Sequence, residues 1–323
     1  MTTSAPTRHA LDDELESLRG PLTGYCYRML GAAADADDAV QETMLRATRS
    51  LDRFDPRRAR LTTWVHRIAT NVCLDMLRGA GRRVLSVDLG PASDGPEGLG
   101  TPLPPERFVE PMPDSRLITA TDPAEVIVQR ESVRLAFVAA LQALSPRERA
   151  TLVLRDVLAF SAQESADILG TSVPAVTSAL QRARARLEAS RPAPDDIAAP
   201  EDPAQHDLLR RYIAAFEAHD VAALTALLRE DAVTSMPPFA WWMRGAAAIA
   251  RLMAASDACA RDRLLPTAIN GGPGLGQYRP DGAGVLQPFA LVLLEVRGGL
   301  VDQTVTFLGT GARFAEFGLP AHP

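Results

Sequence analysis

The side chains of this 323-residue chain that could do chemistry together are its arginines, and the chemistry they offer is the binding of a polyanion. Every one of the 34 Lys-plus-Arg residues is an arginine. Residues 46–83 hold ten of them against only Asp52, Asp55 and Asp75, a local balance of +7. Residues 171–191 hold four against Glu188, or +3, whereas 84–121 carry two arginines and six acids, or −4. The net charge of −6 argues against indiscriminate nucleic-acid binding. Two basic islands joined by an acidic stretch suit a protein that grips a phosphate backbone at two places. Catalytic chemistry has far less to work with. Cys26, Cys73 and Cys259 lie far apart with no CxxC and no Cys/His cluster, so they read as small core residues and not as disulfides or a metal site. His206, His219, His322 and several acids occur in the last third, in no pairing that spacing establishes. No cofactor, metal site or catalytic residue is expected.

The islands must sit on elements that aim them. From Leu11 to Arg83 the pattern is helical, and helical periodicity resumes from Pro123 to about Ser190. Leu61, Val65, Ile68, Val72 and Met76 form one apolar stripe, with Arg67, Asn71, Asp75 and Arg78 opposite and Trp64 at the edge. Val40, Met44, Ala47 and Leu51 form another stripe, on a helix that opens with Asp35, Asp37 and Asp38, charges that suit a helix N-terminus. Between the helical segments, Gly90-Pro91, Gly95-Pro96 and Pro102-Leu103-Pro104-Pro105 read as a linker unable to bury a core. A second Pro/Asp-rich stretch covers 191–203. The remainder is different: two helices, then a helix from Ala246, then apolar runs at 289–296 and 300–308 that read as strands. No run of eighteen apolar residues offers a membrane span, and Met1 to Ala10 is not an export signal. The expected architecture is multidomain, with two all-α modules followed by an α+β domain.

The first island carries a family resemblance. Asp35-Ala-Asp-Asp-Ala-Val-Gln-Glu-Thr, Leu51-Asp-Arg-Phe, Trp64-Val-His-Arg-Ile-Ala-Thr-Asn and Arg82-Arg83 resemble region 2 of extracytoplasmic-function sigma factors. The resemblance implies that Asp37, Asp38, Gln41 and Glu42 contact the β′ clamp of core RNA polymerase. It also implies that Trp64, Arg67 and Asn71 recognise and melt the −10 promoter element, with Arg82 and Arg83 on backbone phosphate. A melted strand needs stacking surfaces and a basic track, which these residue types supply.

The second island sits in a helix-turn-helix pattern. Ser145 and Pro146 start a helix, Ser161-Ala-Gln-Glu starts a short one ending near Gly170, and Thr171 or Ser172 caps the next. Val173, Val176, Leu180, Ala183 and Leu187 face inward along that last helix. Leu144-Ser-Pro-Arg-Glu-Arg, Glu164-Ser-Ala-Asp-Ile-Leu-Gly and Val176-Thr-Ser-Ala-Leu-Gln-Arg-Ala-Arg resemble sigma region 4, the reader of the −35 element that docks on the β flap. Thr177, Ser178, Gln181 and Arg182 would then face base edges, and Arg184 and Arg186 phosphate. The family usually has basic residues where Thr177 and Ala179 stand, so contacts here should be fewer or differently specific.

The resemblance covers residues 10–190: region 2 at 10–83, a linker at 84–121, region 4 at 122–190. Within the linker, Val109-Glu-Pro-Met-Pro-Asp is similar to an element of family members with C-terminal extensions, and Phe108 to Pro113 is expected to dock on the extension or on polymerase. Residues 204–323 resemble the SnoaL-like cone fold, in which helices cover a curved sheet and leave an apolar pocket. Met236, Phe239, Trp241, Trp242 and Tyr278 are its pocket-wall candidates, and a small-molecule ligand or regulator there stays open. Three functions follow: a cytoplasmic sigma factor regulated in cis by the fused domain, a one-component regulator with a ligand-sensing cone, and an enzyme with a DNA-binding appendage. The segments at 35–43 and 64–71 favour the first, because a repressor has no use for a polymerase-docking helix or a melting module.

Overall fold

The computed structural model describes residues 8–93, 95, 98–119, 122–188 and 203–323. Two compact units share them, one built from residues 1–83 and 116–191, the other from 84–115 and 192–323. The first unit holds helices α1 (Arg8–Ser17), α2 (Arg19–Leu30), α3 (Ala33–Ser50) and α4 (Leu61–Met76). A short α5 (Asp114–Leu117) leads back into it, followed by α6 (Pro123–Val133), α7 (Leu135–Gln142), α8 (Pro146–Leu152), α9 (Ala162–Leu169) and α10 (Val173–Glu188). Val40, Met44, Ala47 and Leu51 are buried as one stripe. On α4 the buried face is wider than the sequence stripe, taking in His66, Ala69 and Cys73. The reason is that α4 is covered on two sides. The His66 ring meets Tyr25 of α2 edge-on at 5.4 Å and Phe160, before α9, at 5.0 Å.

The two helical modules therefore share one unit, and polar groups bind them together. Arg28 donates to the Ser132 carbonyl (3.1 Å) and hydroxyl (2.6 Å). Arg149 donates to the Met29 carbonyl and to the Gln142 amide oxygen at 2.5 Å. Burial pushes both guanidinium groups down to about 10, so both stay charged at neutral pH. Arg60 at the start of α4 pairs with Glu164 of α9.

In the second unit α11 (Pro203–Glu217), α12 (Val221–Ala226) and α13 (Ala246–Ala254) accompany a six-stranded sheet. Its strands are β1 (Leu228–Ser235), β2 (Trp242–Arg244), β3 (Arg263–Ile269), β4 (Gly272–Pro280), β5 (Leu286–Arg297) and β6 (Leu300–Leu308). The order is β2-β1-β6-β5-β4-β3, parallel only between β1 and β6. Leu208, Tyr212 and Ala215 of α11 and Leu224 of α12 bury against Leu264, Leu275, Val292, Leu294 and Val301 of the sheet.

The linker expectation needs correction. Residues 84–115 belong to this second unit and bury Val84, Phe108, Val109 and Met112. The segment closes on itself, Val84 N–H donating to the Arg107 carbonyl (2.8 Å) and Val109 N–H to the Val84 carbonyl (3.2 Å). It is also tied to the C-terminal domain: Ser93 N–H to the Trp242 carbonyl and Leu103 N–H to the Pro238 carbonyl, both 2.8 Å. At its end Met112 exchanges hydrogen bonds with Asn270, Gly271 N–H donates to the Asp114 carboxylate (2.6 Å), and Arg313 donates to the Pro111 carbonyl (3.1 Å). Phe108 to Pro113 thus lies on the C-terminal domain. A few apolar residues suffice because so much of the backbone is answered by a partner. The second stretch, 191–203, lies outside the described residues except for Pro203, which opens α11.

Candidate nucleic-acid interface

The sequence builds the helix-turn-helix through its caps. Ser145 and Ser161 each form a reciprocal box with the glutamate three residues on, Glu148 and Glu164. Gly170 takes the left-handed conformation (φ 60°) that ends α9, and the Ser172 hydroxyl accepts from Ala175 N–H to start α10. Val176, Leu180, Ala183 and Leu187 are buried, with Val173 half-buried, so Thr177, Ser178 and Gln181 stand exposed on the outer face. The three arginines of α10 are also exposed, but each is tied inward. Arg182 and Arg186 both reach the Glu148 carboxylate, at 3.0 and 2.8 Å, and Arg184 holds Asp156 through two bonds of 2.8 and 2.6 Å. Burial would raise the Glu148 carboxyl, but bonds from Ser145 and Arg182 and the charge of Arg186 hold it below its ordinary value. These arginines therefore brace the helix as well as offering charge at its edge, a role that spacing alone did not reveal.

On α4, Arg67 and Asn71 are exposed and one helical turn apart, and Arg82 follows, also exposed. Trp64 is half-buried with its ring 5.4 Å from Phe54, so it is neither plain core nor a fully open stacking platform. Arg83 departs from expectation. It is buried, and its guanidinium pairs with the Asp35 carboxylate at 2.7 Å, so in this conformation it is turned away from any phosphate. Its partner begins the acidic run of α3, which answers the charge better than water would at such depth.

On α3 itself Asp37, Asp38 and Gln41 are exposed and Glu42 is half-buried, pairing with Arg46 at 2.6 Å. Asp37 pairs with Arg116. Leu45, an exposed leucine one turn beyond Gln41, extends this face and was not among the sequence candidates.

The five pocket-wall candidates all lie in the second unit. Tyr278 is fully buried, its hydroxyl donating to the Pro320 carbonyl (2.7 Å) and its ring edge-on to Phe314. The Trp242 indole N–H donates to the Gly90 carbonyl (2.9 Å), and the Phe239 carbonyl accepts from Ser86 (2.9 Å). Trp241 is buried, and Met236 is half-buried in the loop that the 84–115 segment covers. Among the described residues no group of three or more His, Cys, Asp or Glu side chains could hold a metal ion, and no helix is long and apolar enough to cross a membrane.

Comparison with known proteins places families on these modules. A family model for Sigma-70 region 2 matches residues 15–83, one for Sigma-70, region 4 matches 134–187, and one for a SnoaL-like domain matches 209–265. The ECF RNA polymerase sigma factor SigG of Mycobacterium tuberculosis is 45% identical over 309 residues, 94% of this chain and 82% of the relative. SigJ of the same organism is 35% identical over 218 residues, 68% of this chain and 62% of the relative. The crystal structure of the M. tuberculosis extracytoplasmic function sigma factor SigJ aligns with a TM-score of 0.61 at 25% identity, covering 96% of this chain and 99% of that one.

Proposed function

The chain belongs to the extracytoplasmic-function sigma factors of the sigma-70 family, and we propose that its SnoaL-like domain regulates promoter engagement in cis by holding the segment that joins region 2 to region 4. As a sigma factor it acts with RNA polymerase and promoter DNA, which puts its work in the cytoplasm. The one-component reading has no counterpart for region 2 and is set aside.

In the division of labour, Asp37, Asp38, Gln41 and Glu42 meet the β′ clamp, and region 4 docks on the β flap. Trp64, Arg67, Asn71 and Arg82 engage the −10 element, and Arg83 joins them once released from Asp35. Thr177, Ser178, Gln181 and Arg182 read the −35 element, with Arg184 and Arg186 on phosphate. Support comes from the exposure of most of these side chains on α3, α4 and α10. Met236, Phe239, Trp241, Trp242 and Tyr278 serve to seat the 84–115 and C-terminal segments and not to bind a ligand, in keeping with their partners Gly90, Ser86 and Pro320.

The single observation that carries regulation in cis is that residues 84–115 are hydrogen-bonded to the C-terminal domain at both ends. Two modules on one tether bind cooperatively only if the tether lets both engage. The test is transcription in vitro with core RNA polymerase on a promoter library, comparing the full chain with a chain ending at Ser190. Higher promoter-specific output from the shorter chain is expected. Equal output would refute restraint by the fused domain, and lower output would give that domain a positive role instead.

A further inference from the structure

We propose that Glu148 is a positioning residue of the −35 reader: its carboxylate holds Arg182 by one edge, so that the free end of the guanidinium reads a guanine in the major groove. The inference rests on the reading of α10 as the helix that faces the −35 element, and it names the base that one of its side chains takes.

The carboxylate is fixed before any DNA arrives. Glu148 stands in the first turn of α8, where its Oε2 accepts from the Ser145 N–H (3.3 Å) and hydroxyl (2.7 Å). Its side chain is only 8% exposed, and a carboxylate at that depth needs donors to stay charged. Helix α10 supplies two of them from successive turns. Arg182 Nε donates to Oε1 at 3.0 Å, and Arg186 Nη1 donates to Oε2 at 2.8 Å. Each oxygen is therefore engaged, and the carboxylate has one direction in which to hold Arg182.

The arginines differ in what they have left to offer. Arg184 commits both Nε and Nη2 to Asp156, at 2.8 and 2.6 Å. Arg182 commits Nε alone, its side chain stays 60% exposed, and no other hydrogen bond holds it among the described residues. Its two Nη groups remain as a planar pair of donors. Guanine presents two adjacent acceptors in the major groove, O6 and N7, whereas adenine presents an acceptor beside a donor. Arg182 follows Gln181 and lies one turn beyond Ser178, on the exposed face that both share. An untethered arginine must give up rotamer freedom to reach a base edge; one anchored at Nε has already lost most of it. The buried carboxylate thus converts a general cation into a base reader.

The test is a binding selection with the full chain assembled on core RNA polymerase, using promoter duplexes randomised across the −35 element and counting bound sequences against input. One position should favour guanine about five- to hundredfold in the parent. Arg182→Ala should abolish that preference and leave the other positions as they were. Glu148→Gln keeps the shape and one acceptor but not the charge, and should cut the preference by about two- to tenfold, as for one long side chain left to be ordered on binding. Affinity for duplexes lacking the element should stay level or rise in this variant, because an acidic charge near phosphate is gone. A folding defect would instead lower both. Added to Arg182→Ala, Glu148→Gln should change the preference no further. If Arg182→Ala abolishes the preference while Glu148→Gln leaves it whole, or if Glu148→Gln weakens every position alike, Glu148 does not position the reader and the proposal is overturned. If Arg182→Ala changes no position but Gln181→Ala flattens one, Arg182 reads no base and the proposal fails while α10 remains the −35 helix. If neither variant flattens a position, the reading of α10 is itself wrong.

Discussion

Lowering the pH from 7.5 to 5.5 probes the burial of His66. Its Nδ1–H donates to the Thr62 carbonyl (2.8 Å), and Nε2 is buried with no hydrogen-bond partner among the described residues. Burial, opposed only in part by the Thr62 bond, pushes the imidazole down to about 4 from an ordinary 6.5. The native side chain therefore stays neutral where a solvated one takes up a proton. Any state that uncovers it, by lifting Phe160 away or by unfolding, binds more protons between pH 6.5 and 4, so the closed unit loses stability as pH falls through that window. The whole shift is worth about 3 kcal/mol, complete only below pH 4. At pH 5.5 the part realised is about 1.4 kcal/mol, a tenfold change in favour of the uncovered state. Two measurements check this. One of the five histidine Cε1–H resonances should titrate with a midpoint near 4, and the pH 7.5 to 5.5 loss of stability should be about 1.4 kcal/mol larger in the parent than in His66→Phe. Five midpoints all above 6 would refute the reasoning, as would identical pH slopes.

Two further outcomes test the second unit. Met112, fully buried in the 84–115 segment, should cost about 2–5 kcal/mol when cut to alanine, and the Trp242 indole bonded to Gly90 provides the fluorescence signal; a loss below 1 kcal/mol would mean the segment is not part of that core. At Gly276 a Cβ would sit 2.5 Å from Leu319 and 3.2 Å from Phe314, so Gly276→Ala should destabilise by about 1–3 kcal/mol and speed proteolytic trimming after residue 310. Unchanged trimming would argue against that contact.

The helix-turn-helix was legible because its information is local. Ser145, Ser161, Gly170 and Ser172 act within three or four residues of themselves, and the inward stripe of α10 has the period of the helix that carries it. What could not be read depends on partners far away in sequence. Strand β4 contains Gly272, Pro273, Gly274 and Gly276, yet Ile269 and Leu319 crowd positions 274 and 276 so closely that a Cβ there would force them to shift. Helix α12 ends at Ala226 for a reason that no local signal gives. It breaks at Leu227 because Val301 N–H claims the Leu227 carbonyl and β1 pairs in parallel with β6. Arg83 looked like a phosphate ligand because its Asp35 partner lies 48 positions earlier, and the Pro/Gly segment looked unstructured because Trp242 and Asn270 lie about 150 residues later.

The pairing of Val84 with Phe108 also sets a length. Positions called −10 and −35 lie some 25 base pairs apart, which at 3.4 Å per pair is about 85 Å along the duplex. Fully extended, the 32 residues from 84 to 115 would span about 105 Å, enough to join a module at each end. Looped back at Val84 and Phe108, only the residues beyond 108 contribute reach, about 25–30 Å. A module of about 70 residues adds roughly 14 Å from its attachment point to its centre, so two of them bring the total to about 60 Å. For two modules that read those elements as proposed, the looped tether falls short where the extended one reaches, so one backbone ladder would permit or forbid the distance between them.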